Sequence, residues 1–108
     1  MQSLNLYGYT GSDLAEIAKV IENLLKITFE LSHSYYRGGD YYIYKFKDVG
    51  SIVLQSNFNK IEEEWSESEF VDFHTLLYIN GTTELIDQIK NIFTKFIPNL
   101  KFLKSNHV

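Results

Sequence analysis

The chain of 108 residues has no cysteine. Disulfides, thiol nucleophiles and cysteine-built zinc sites are therefore excluded, and a reducing compartment such as the cytoplasm fits. Long apolar runs are also missing. No stretch approaches the roughly 18 residues of a membrane span. The opening MQSLNLYGYTG has neither a basic segment nor a long apolar one, so a secretory signal is not expected. The sequon at Asn80-Gly81-Thr82 then reads as a loop running into a helix cap. Basic residues are absent over a long interval. No Lys or Arg separates Lys60 from Lys90, whereas Glu62, Glu63, Glu64, Glu67, Glu69, Asp72, Glu84 and Asp87 fall between them. With a net charge of −4, such a chain repels nucleic acid and favours a basic partner. Proline occurs once, at Pro98.

What the chain does have is aromatic residues, eight Tyr and eight Phe among them, and regular apolar spacing. The length suits one domain, residues 1–108. A domain of this size buries about two-thirds of its unfolded surface and folds without staples. Leu4 and Leu6 alternate with polar neighbours, predicting a strand through about Tyr9. Thr10 or Ser12 is the expected helix cap, with Asp13 and Glu16 at the positive end. Leu14, Ile17, Ala18, Ile21, Leu24 and Leu25 then form one helical stripe.

From Ile27 to Tyr35 the period is two, predicting a half-buried strand. Gly38-Gly39 supplies the positive backbone angles of a hairpin turn. Strands are expected over Tyr41–Lys47 and, after Asp48-Val49-Gly50, over SIVLQSNF. Residues 59–69 read as an acidic loop, with room for one helical turn. FHTLLYI is apolar on both parities, as a central strand is. Thr82 or Thr83 caps a second helix with the stripe Leu85, Ile86, Ile89, Ile92, Phe93 and Phe96, ended by Pro98. LKFL adds an edge strand. The order β-α-β-β-β-β-α-β predicts an α+β fold. A mostly antiparallel sheet of about five to six strands carries both helices on one face, leaving the other partly open.

Tyrosines crowd the hairpin YYRGGDYYIY. Tyr42, Tyr44 and Phe46 share one face of their strand, Tyr41 and Ile43 the other. Only one set can meet the helices. The other leaves tyrosine near solvent, where its ring and hydroxyl suit an interface. Strand propensity in a shallow core is the alternative explanation.

Catalytic chemistry finds little support. His33 has Ser32, Ser34 and Asp40 nearby, but adjacent strand residues point to opposite faces and no activating loop follows. A hydrogen-bonded core or rim histidine is expected. The Glu62-Glu63-Glu64 run lacks calcium-loop spacing, and Gly38-Gly39 is no phosphate loop. Arg37 beside it could hold an anion. No catalytic residue, metal or cofactor is therefore expected.

HSYYRGGDYY at residues 33–42, VLQSN at 53–57, the acids that follow and LLYI at 76–79 together resemble a group of small bacterial immunity proteins. These neutralise toxin domains of contact-dependent growth inhibition and related polymorphic toxin systems. The resemblance runs from His33 to Gly81. It implies a cytoplasmic, non-enzymatic protein that blocks one cognate toxin domain in a heterodimer, without itself contacting nucleic acid or membrane. The expected toxin is a basic nuclease, a ribonuclease before others, because an acidic inhibitor imitates the charge of its substrate.

The partner-binding residues expected are Glu62, Glu63, Glu64, Trp65, Glu67, Glu69 and Asp72, with Trp65 as an aromatic anchor, and Tyr41, Tyr42 and Tyr44 from the hairpin. A solvated acidic loop without function would carry the same charges. A small-molecule-binding regulatory module and a homodimeric structural subunit are the alternative functions.

Overall fold

The computed structural model describes residues 2–107, the side chain of His107 excepted. The fold is α+β in the expected order. Strand β1 (Gln2–Tyr9) leads to helix α1 (Leu14–Leu25), then β2 (Glu30–Ser34), β3 (Gly39–Lys45) and β4 (Gly50–Ser56). After an excursion through residues 57–74, β7 (Thr75–Thr82), helix α2 (Thr83–Phe96) and β8 (Lys101–His107) complete the chain. The excursion holds a two-residue hairpin, β5 (Phe58–Asn59) and β6 (Glu64–Trp65), and a single 3-10 turn at Ser68–Phe70. Six strands form one sheet in the order β2-β3-β4-β7-β1-β8, every neighbouring pair antiparallel.

The helix stripes decide which sheet face becomes the main core. Ile17, Ala18 and Ile21 of α1 and Ile86, Ile89 and Phe93 of α2 are buried. They cluster with Tyr7, Ile52, Leu54, Leu77 and Ile79 of the three central strands. Burying such side chains contributes about 1.5–3 kcal/mol each. Tyr42, Tyr44 and Phe46 pack against this cluster, so the helix-facing tyrosines of β3 are those two.

Local details depart from the expected boundaries. Asp13, rather than Thr10 or Ser12, caps α1, its carboxylate accepting from the Glu16 N–H at 3.1 Å. Strand β2 begins at Glu30 instead of Ile27, because the Phe29 N–H donates to the Glu22 carboxylate at 2.7 Å. The segment leaving α1 is thus tied to the helix, not to a neighbouring strand. Thr82 caps α2, accepting from the Leu85 N–H at 3.3 Å. The edge strand β8 extends to His107, well past the expected LKFL.

The second sheet face is less open than expected. Leu6, Val53, Gln55 and Leu76 point away from the helices, yet are 0–6% exposed. Their cover is the 57–74 excursion, which crosses this face instead of looping into solvent.

Candidate functional site

Two buried asparagines fold the excursion over the sheet. Asn57 is 0% exposed. Its amide nitrogen donates to the carbonyls of Phe73 at 2.9 Å and Phe70 at 3.0 Å, and its oxygen accepts from the Glu67 N–H at 2.9 Å. A buried amide can satisfy several backbone groups at once, which apolar side chains cannot. Asn59 works in the other direction. Its oxygen accepts from the N–H groups of Ile61 and Glu62, both at 3.0 Å, shaping the acidic turn. Its nitrogen donates to the Tyr35 carbonyl at 3.0 Å and the Tyr36 carbonyl at 3.4 Å, reaching the tip of the β2–β3 hairpin.

Gly38 makes this contact possible. Its φ is +82°, and a Cβ there would lie 3.0 Å from the Asn59 Cα. The tyrosine-rich turn and the acidic turn, separate in sequence, are therefore bound side by side.

Between them lies a cleft of about 400 Å³ on the second sheet face. Leu4, Val53, Tyr78 and Asn80 come from its strands, Tyr36 and Arg37 from the hairpin tip. Glu62, Glu64, Trp65 and Glu67 come from the acidic segment. Trp65 is half-buried, its ring edge-on to Phe58 with centroids 5.1 Å apart. Arg37 donates to the Gln55 side-chain oxygen at 2.7 Å and lies over the Tyr41 ring, 5.2 Å from its centroid.

The acids divide into two groups. Glu67 accepts from the Tyr78 hydroxyl at 2.7 Å and pairs with Lys104 at 3.1 Å. Glu69 pairs with the same ammonium at 2.9 Å. Burial, and then the hydrogen bond to Glu67, raise the Tyr78 phenol above its usual range. The bonds to Glu69 and Glu67 raise the Lys104 ammonium. These acids are engaged within the fold. Glu62 and Glu64 are not: among the described residues neither has a Lys or Arg at ion-pair distance. Instead they face each other. The neighbouring Glu64 side chain, through hydrogen bonding and like charge, raises the Glu62 carboxyl above the usual carboxylate range.

The expected site residues are thus distributed unevenly. Glu62, Glu64, Trp65 and Glu67 line the cleft. Glu63, with φ +56°, is exposed in the turn beside it. Glu69 shares Lys104 with Glu67, and Asp72 is exposed between the 3-10 turn and β7. Tyr41 lies on the cleft side of the sheet beneath Arg37, whereas Tyr42 and Tyr44 face the helices. Reading the sequence did not single out Tyr36, Gln55, Asn59 or Tyr78 for this site. The one available signal was the amide-rich QSNFN, an odd ending for an apolar strand.

The histidine considered for catalysis sits elsewhere. His33 Nδ1 is 3.1 Å from Asp40, across the β2–β3 pair, with side chains 60% and 69% exposed. Ser32 and Ser34 alternate to the opposite face, so neither serine hydroxyl joins this pair. Among the described residues no group of three or more His, Asp or Glu could hold a metal ion. No helix there is long and apolar enough to cross a membrane.

Fold and site together define a small α+β protein with a mixed-polarity cleft on the sheet face opposite its helices. No family model matches the chain, and no curated protein matches it.

Proposed function

We propose that this chain is an immunity protein: a non-enzymatic inhibitor that binds one basic toxin domain, a ribonuclease before other nucleases, and covers its active site. The observation that carries the reading is the uncompensated pair Glu62 and Glu64, presented next to Trp65 at the cleft. Side-by-side carboxylates without a cation contribute nothing favourable to the fold. They become favourable when a basic surface docks, speeding encounter and selecting the partner. Trp65 and the exposed Tyr35 and Tyr36, 70% and 82% accessible, supply apolar contact beside the charges. The cytoplasm, where a nuclease would do its damage, is the proposed location.

The test is protection. The toxin domain encoded by the neighbouring gene is induced in cells with and without this chain, and growth and RNA integrity are followed. Protection by the wild type, lost on reversing Glu62 and Glu64 to Lys, is the expected result. Growth arrest despite abundant folded chain would refute the reading.

The cleft also favours a second reading, a module that binds a small molecule. Its volume falls within the range of ligand sites. Purification of the chain with a bound metabolite, without protection in the assay above, would favour that alternative.

A further inference from the structure

We propose that the cleft is the seat for one arginine side chain of the partner, received between the rings of Tyr36 and Trp65 and the carboxylates of Glu62 and Glu64. The inference rests on the reading of the partner as a basic protein, and it names the group that this partner inserts.

The walls stand before anything binds. Asn59, 2% exposed, ties the Tyr35 and Tyr36 carbonyls to the turn that carries Glu62. The two backbone segments that flank the cleft are therefore tied together, and the binding step has only side chains to order. The floor includes Leu4 and Val53. Apolar side chains of this kind accept the methylene stem of a long basic residue while its charged head stays near carboxylates.

Charge selects a cation. Glu67 is already engaged by Tyr78 and Lys104. Arg37 is drawn to one wall by Gln55 and by the Tyr41 ring. Among the described residues, the cleft carboxylates without a Lys or Arg at ion-pair distance are those of Glu62 and Glu64. A guanidinium fits this combination better than an ammonium. Its plane stacks on aromatic rings, and its fork binds a carboxylate through two hydrogen bonds.

Trp65 is the single tryptophan, so its indole N–H gives an unambiguous NMR signal in the full chain. The probe is N-acetyl-arginine N-methylamide, compared with the citrulline derivative, which keeps the shape without the charge, and with the glutamate derivative. The arginine probe should shift the indole signal saturably. The citrulline probe, and a Glu62→Gln/Glu64→Gln double variant with unchanged melting, should bind at least about fivefold more weakly, because the exposed ion pairs with the guanidinium can no longer form. Equal binding of citrulline, no saturable shift with arginine, or preferential binding of the glutamate probe lost in Arg37→Gln would each overturn the proposal. Cellular protection without arginine binding would leave the immunity reading standing and remove the cleft as its arginine seat. Arginine binding without protection would sink the reading on which the proposal rests.

Discussion

Replacing Asn57 with alanine should loosen the segment that builds the cleft. The side chain is fully buried and makes three bonds of 2.9–3.0 Å, to the Phe70 and Phe73 carbonyls and the Glu67 N–H. At about 1 kcal/mol net for each bond, the variant should lose ~3 kcal/mol. In a domain of this size that lowers Tm by about 10–20 °C. Asn57→Asp separates a hydrogen-bond effect from a packing effect. Its volume is nearly unchanged, but a carboxylate oxygen would now face two carbonyls. The folded state therefore raises the pKa of the new acid above its unfolded value of about 3.9. Its stability is greatest below that unfolded value and is lost as pH rises through the folded one. Relative to Asn57→Ala, the Asp variant should thus be less stable at neutral pH and recover at acid pH. Urea denaturation, followed by circular dichroism and by Trp65 fluorescence at both pH values, measures this. A cost for Asn57→Ala under about 1 kcal/mol, or no pH-dependent gap between the two variants, would mean that apolar packing, not this amide, folds the segment over the sheet.

Other changes test neighbouring parts of the account. Gly38 and Gly39 both have positive φ, at +82° and +122°, but only at Gly38 would a Cβ meet Asn59. Gly39→Val should cost about 1 kcal/mol in urea denaturation from backbone strain alone, and Gly38→Val more than that, with a perturbed Trp65 signal. Glu64→Ala should lower the Glu62 titration toward the ordinary carboxylate range, read by carbon NMR of the side-chain carboxyl, because the neighbouring acid that raises it is gone. An unchanged midpoint would show that the two acids do not interact.

Periodic features of the fold were legible in the sequence. The stripe from Leu14 to Leu25 can bury only one face, and the two-parity run Leu76-Leu77-Tyr78-Ile79 can rest only in the middle of a sheet. Gly38-Gly39 announces its turn because few other residues hold those angles. The cleft was not legible, because what assembles it has no period. Asn57 and Asn59 bind backbone carbonyls and N–H groups, which every residue possesses, so no complementary pattern marks their targets. The acidic run looked uniform for a related reason. Lys104, which pairs with both Glu67 and Glu69, is supplied by β8, far along the chain. Only the fold divides the engaged acids from Glu62 and Glu64. Likewise the tyrosine cluster was visible, but its division between Tyr42 and Tyr44 toward the helices and Tyr41 toward the cleft depends on which face the helices choose.

If Glu62 and Glu64 steer a basic toxin domain to the cleft, as proposed, they should govern its association rate with this chain. The rate would be measured by stopped flow at low and at physiological salt, for the wild type and for Glu62→Lys/Glu64→Lys. Exposed charges act mainly on encounter and are screened over a Debye length of about 8 Å at physiological ionic strength. Association of the wild type should be fast and should slow as salt rises, whereas the variant should associate slowly with a weak or inverted salt dependence. Equal rates for the two proteins at both salt concentrations would contradict the proposed steering.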